Sequence, residues 1–226
     1  LDPAGIGAAL ERAAVPLPSF LPTGVWARRE GSPVVGGTRE SVRTLLREGG
    51  WPKGFTPTLI APSETAPVNV TRLAETLQQM LGASDIPVLL RLEPADVVRA
   101  ALQGGEHEMA LVEAPVTGGD PHLLLFPLST SEGAIRGAKA LNYSFYRNPR
   151  LDDTLVRASQ LSFRVERAKL YQRAQALLAS ELPWIPIYVR LEWGVARPEV
   201  RNLRLHPSGF HRLSGVTLEA PGGLSP

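Results

Sequence analysis

Between positions 70 and 81, apolar side chains recur as Val70, Leu73, Ala74, Leu77, Met80 and Leu81, the i, i+3, i+4, i+7 spacing of one buried helix face. The pattern predicts a helix over 71–81, opened at Asn69 or Thr71 and closing near Gly82. Ahead of it, "WPKGFTPTLIAPS" predicts a turn into a short strand centred on 58–61. Behind it, "IPVLLRL" predicts a buried strand; Pro94, Ala95 and Asp96 then open a helix that runs to about Leu102 and stops at Gly104-Gly105. "HEMALVEA" supplies a third strand. Strand, helix, strand, helix, strand at this spacing implies parallel strands near 58–61, 88–92 and 109–112 joined by right-handed crossovers.

The flanks are less regular. Residues 3–14 predict a short helix with Ile6, Ala9, Leu10 and Ala13 on one face, followed by an extended stretch broken by Pro16, Pro18, Pro22 and Pro33. Thr38 caps a helix that turns Val42, Leu45 and Leu46 to the core and ends at Gly49-Gly50. In the loop over 114–149, "GGDPHLLLF" reads as a turn before an apolar stretch. Two helices follow, over 151–160 and 164–181; the longer carries Val165, Ala168, Tyr171, Gln175 and Leu178 on one stripe. "PWIPIYVRLEWGVARP" is a strand whose prolines favour a chain crossing or a sheet edge.

Composition narrows the function classes. The 226 residues are 43% hydrophobic, enough for a sizeable core, and carry 24 basic against 22 acidic side chains for a net charge of +2, which gives nucleic acid no electrostatic footprint. With no cysteine, a disulfide framework, a thiolate metal site and a cysteine nucleophile are excluded. The four histidines show no metal-ligand spacing, and neither a P-loop nor a dinucleotide fingerprint is present, so no metal and no cofactor is expected. Asp120 and His122 lie close in sequence but lack a nucleophile elbow, which leaves an enzyme the weakest reading. No apolar run reaches the ~20 residues of a membrane span. "LDPAGIGAAL" lacks a secretory leader's segments, and both ends fall at turns, as in a fragment. More informative are the aromatics at turns and strand ends: Trp26, Trp51, Tyr143, Phe145, Tyr146, Trp184, Tyr188, Trp193 and Phe210. Such residues either line a cleft for an organic ligand or plug loops onto the core.

The segments "LERAAVPLPSFLPTGVW", "TRESVRTLLREGGWPKGFTPTL", "RLAETLQQMLGASDIPVLLRL", "GGEHEMALVEAPVTGGDP", "NYSFYRNPRLDDTLVRA", "ERAKLYQRAQALLASELPWIPIY" and "VARPEVRNLRLHPSGF" occur in a distinctive order. In order and spacing, though in no single motif, they resemble the extracellular solute-binding proteins of peptide and nickel ABC importers, solute-binding family 5. The resemblance implies an α/β lobe of the type II periplasmic-binding-protein kind, with a parallel or mixed sheet flanked by helices. Residues 1–187 would be the C-terminal ligand-binding lobe, and 188–226 a return segment to a second lobe. It also implies a substrate-binding component, periplasmic or a cell-surface lipoprotein, that closes by hinge motion over a small organic solute such as a peptide and works with a membrane permease. Left without its other lobe, the return segment is expected to be poorly ordered or to self-associate.

The sequence departs from the family at its ionic anchors. In the dipeptide-binding branch an Arg before the 71–81 helix holds the ligand carboxylate and an Asp after a Gly-Trp pair holds the amine; those positions are Glu64 and Thr117 here, and the Gly-Trp pair is Glu113-Ala114. Both anchors, each contributing roughly 1.5–3 kcal/mol, are absent. A degenerate lobe acting as a sensor or interaction module is therefore the alternative. Glu64, Glu113, Thr117, Asp120, Asn142, Tyr143 and Tyr146 form the candidate ligand site, because loops after parallel strands converge on crevices and "NYSFYRNP" resembles the family's cleft-side segment. From Arg147 onward that segment is structural: Asn148 caps the 151–160 helix, and Asp152 and Asp153 favour its positive end.

Overall fold

The structure, a computed structural model, describes residues 1–31, 38–114, 118–135, 140–206, 211 and 213–219. In chain order its elements are α1 (Pro3–Ala9), β1 (Ala14–Pro16), α2 (Arg39–Glu48), β2 (Thr58–Pro62), α3 (Val70–Ala83), β3 (Leu89–Glu93) and α4 (Ala95–Gly104). These are followed by β4 (Met109–Ala110), α5 (His122–Ser129), α6 (Pro149–Gln160), α7 (Arg164–Glu181), β5 (Tyr188–Arg190), β6 (Val200–Arg201) and β7 (Thr217–Leu218).

β2 pairs in parallel with β3 on one side and β4 on the other, giving the order β3-β2-β4. Side-chain alternation along β2 divides the packing between the two faces. Leu59 and Ala61 join Leu73, Ala74 and Leu77 of α3 and Ile6 and Ala9 of α1, whereas Ile60 packs with Val98, Ala101 and Leu102 of α4. The helices form where caps and spacing direct: Thr38 accepts from Ser41 N, Asn69 from Arg72 N, and Gly105 closes α4 at φ 70°.

A second core joins α5, α6 and α7 to the segment around Phe20 and Leu21. Leu151, Leu155 and Ala158 of α6 meet Tyr171, Ala174 and Leu178 of α7. Gln175 sits buried among them, its amide nitrogen donating to Ala27 O and Tyr171 O while its oxygen accepts from Arg29 N, so segment 27–29 is stitched to α7 with each polar group satisfied.

β1 and β5 form a separate antiparallel pair in which Pro16 faces Tyr188. Among the described residues beyond β5 the chain makes the small β6–β7 ribbon, and Trp193 is 74% exposed.

The structure corrects several sequence expectations. α2 buries none of its side chains, and Leu45 is 66% exposed, because the helix lies at the periphery and its amphipathic pattern exceeds the burial available. β3 is an edge strand with Leu89 61% exposed, not a buried strand. α1 ends at Ala9, where Glu11 and Arg12 take positive φ before β1. Val165 points to solvent, off the stripe that buries Tyr171, Gln175 and Leu178. α5 was unforeseen: it is apolar nearly all round and contains Pro127, so it shows neither helical periodicity nor an uninterrupted helical sequence.

Candidate functional site

β4's position at the edge of the sheet sets up the site. Leu111 N donates to Ile60 O, and backbone groups alternate along a strand, so Ala110 and Val112 turn theirs to the unpaired side. That side opens on a cleft of about 1500 Å³, whose wall also includes residues 183–192, Trp26 and Tyr143.

One end of the cleft is acidic. Glu113, just past β4, accepts 2.6 Å from the Tyr188 hydroxyl and 3.3 Å from Arg190 Nη1, tying the loop after the sheet to β5. Burial first, then the Glu113 hydrogen bond and charge, push the Tyr188 phenol far above its ordinary range. The Glu64 carboxylate adds to this and Arg190 opposes it, so Glu64 and Glu113 act on the same hydroxyl. The middle is aromatic: Phe20 and Trp184 meet edge to face at 4.7 Å, and Trp184 Nε1 donates to Ser129 Oγ at 3.0 Å. Tyr143 is held through its backbone, its carbonyl accepting from His107 Nε2 at 2.9 Å.

The predicted site residues separate into two groups. Glu113 and Tyr143 line the cleft, and Glu64 lies within electrostatic reach of its acidic end. Thr117 falls outside the described residues. Asp120, Asn142 and Tyr146 do not line the cleft, and their polar atoms hold partners within the chain. Asp120 accepts from His122 N and pairs with Arg167 at 2.7 Å. Asn142, 1% exposed, donates to Thr130 O and Tyr146 O and accepts from Ser144 Oγ. The Tyr146 hydroxyl donates to Glu181 at 2.6 Å and accepts from Asn148; burial and that carboxylate raise its pKa to about 12. Residues that sequence reasoning missed are Phe20, His107, Arg164 and Arg190, all on the cleft wall. The one signal for Arg164 was its place at the start of the predicted 164–181 helix.

His122 gives the Asp120 knot a pH response. Its ring lies 4.7 Å from Phe126 and 6.3 Å from Tyr171, with Nδ1 buried and unpartnered. Burial, the largest influence, lowers its pKa below 6.5, with Asp120 opposing and Arg167 assisting. A depressed folded pKa means the unfolded chain takes the proton more readily, so the stability present above pH 6.5 declines as pH falls below it. His122→Phe, which keeps the ring packing, is expected to flatten the Tm profile between about pH 7.5 and pH 5 relative to the parent. Parallel profiles would refute the assignment.

A three-stranded parallel sheet flanked by helices, an antiparallel pair at its border and a cleft along the free edge of β4 match part of a periplasmic-binding-protein fold. The relatives agree. The chain is 29% identical over 204 residues to heme-binding protein A of Haemophilus influenzae, covering 88% of this chain and 36% of that protein. It is 29% identical over 171 residues to di/tripeptide-binding protein 4 of Pseudomonas aeruginosa, covering 74% and 31% respectively. Among solved structures, HbpA2 from Haemophilus parasuis superposes with a TM-score of 0.82 at 25% identity, covering 96% of this chain and 42% of that one. No family model matches the chain. The chain spans about a third of the length of these curated relatives. It is homologous to part of the peptide- and heme-binding proteins, and the likeness to solute-binding family 5 is borne out.

Proposed function

We propose that this chain is the ligand-binding lobe of an extracytoplasmic solute-binding protein that delivers a peptide or related small organic solute to the permease of an ABC importer. The observation that carries the reading is the cleft itself: aromatic and charged side chains line one hollow along the edge of β4, which has no strand partner on that side among the described residues. Ala110 and Val112 offer backbone groups with which an extended peptide can pair as an added strand, an interaction indifferent to side-chain identity. Residues 1–187 would act as the lobe, and the β1–β5 pair as the passage about which a second lobe closes. The relatives' printed ligands, heme and di- and tripeptides, frame the candidates.

The Glu113–Tyr188 contact gives this chain its own version of the mechanism. In place of a glycine, Glu113 reaches from the sheet's exit to β5, so a solute amine entering the acidic end meets a carboxylate already oriented at the passage. A screen of di- to tetrapeptides, glutathione and heme against the 226-residue chain by thermal shift tests the reading. At least one should raise Tm in a concentration-dependent manner, as binding to the folded state alone requires. If none raises Tm at millimolar concentration, the sensor or interaction-module reading replaces transport.

A further inference from the structure

At the start of α7 the cleft wall carries a cation that no acid pairs with among the described residues. Arg164 lines the wall with its guanidinium carbon 4.9 Å from the centre of the Trp26 ring, and it has no salt-bridge partner among the described residues. The two other arginines nearby are occupied. Arg167, one turn along α7, is taken up by Asp120 at 2.7 Å, the Tyr171 hydroxyl at 2.9 Å and Ala158 O at 3.0 Å. Arg190, also on the cleft wall, is neutralised by Glu113.

The placement of Arg164 is unfavourable for the fold. It is the first residue of α7, and the cap residue Phe163 provides no side-chain hydrogen bond. A positive charge is unfavourable at the positive end of a helix, and the first-turn acid Glu166 forms no ion pair with Arg164 among the described residues. What holds the side chain is the Trp26 face: stacking uses the guanidinium plane and leaves its edge N–H groups for a planar acceptor.

We infer that Arg164, seated on Trp26, is the specificity-determining residue that receives a carboxylate of the bound solute. This rests on the cleft being the solute site and adds the charge that fits it: an organic solute with a free carboxylate oriented toward α7.

The test is an NMR titration of the full 226-residue chain with tri-leucine and tri-alanine, each as the free acid and as the C-terminal amide. The free acids should shift the Trp26 indole and Arg164 side-chain signals and bind about fivefold more tightly than the amides, a partly solvated charge-assisted bond's worth. Arg164→Gln should bring acid and amide to equal affinity, while Arg173→Gln, exposed on the same helix, should keep the difference. Equal binding of acid and amide by the parent, with Val112 and Tyr143 still shifting, would overturn the role of Arg164 and leave the cleft as the solute site. No shift at Val112, Tyr143 or Trp26 with either form would overturn both.

Discussion

Asn142→Ala is expected to destabilise the protein by about 2–4 kcal/mol, because two backbone carbonyls lose their donor in a place water does not readily reach. The Asn142 amide donates 3.0 Å to Thr130 O and 2.9 Å to Tyr146 O, and its oxygen accepts 2.8 Å from Ser144. These bonds tie the end of α5 to the segment entering α6. At this chain size the loss corresponds to a Tm about 6–12 °C lower, read by calorimetry or thermal shift. An unchanged Tm accompanied by weakened solute binding would return Asn142 to the ligand site and contradict the structural role.

Gly133→Ala is expected to cost about 1–3 kcal/mol through overpacking. A methyl group there would run into the backbone carbonyl of Pro127 and stand 3.3 Å from Asn142 Cβ, and neither neighbour is the end of a flexible side chain. Asn142 N and Leu141 N also donate to Gly133 O, so the backbone cannot retreat without loosening the same junction. Gly82→Ala is the matched control. It lies within α3 with open space about it, so the methyl should stabilise by about 0.5–1 kcal/mol through helix propensity. Denaturant melts of the pair should move in opposite directions; a shared direction would contradict the packing at Gly133.

How much of this was legible follows from where the physics is local. The three parallel strands and the helices between them were readable because Leu73, Ala74 and Leu77 repeat at helical spacing, and Asn69, Pro94 and Gly105 mark the ends. Periodicity does not report how much surface is available to cover it. α2 has as clear an apolar face as α3, yet nothing in the sequence says that Leu45 will meet solvent. α5 was hidden for the converse reason: a helix apolar on nearly every side has no face to detect.

The site was legible only in part. Glu113 and Tyr143, chosen for their places at strand and loop ends, do line the cleft. Asn142, Tyr146 and Asp120 have the same polar character and similar loop positions. Their partners, however, come from distant segments: Thr130, Glu181 and Arg167 respectively. A residue with unspent hydrogen-bonding capacity and one already satisfied look identical in sequence. The resemblance to a family directed attention to the positions that normally carry the anchors. It gave no reason to examine Arg164, which stands at the start of a helix packed against α6.

Hydrogen exchange at the Ala110 and Val112 amides tests the central claim most directly, because both residues, one in β4 and one just past it, line the cleft where solute is held to bind. In the 226-residue chain they should exchange rapidly when alone and slow by about tenfold or more with a stabilising tripeptide, while Leu111, bonded to Ile60 O, stays protected throughout. Unchanged exchange at Ala110 and Val112 under a peptide concentration that raises Tm would contradict it, since the solute would then be binding elsewhere.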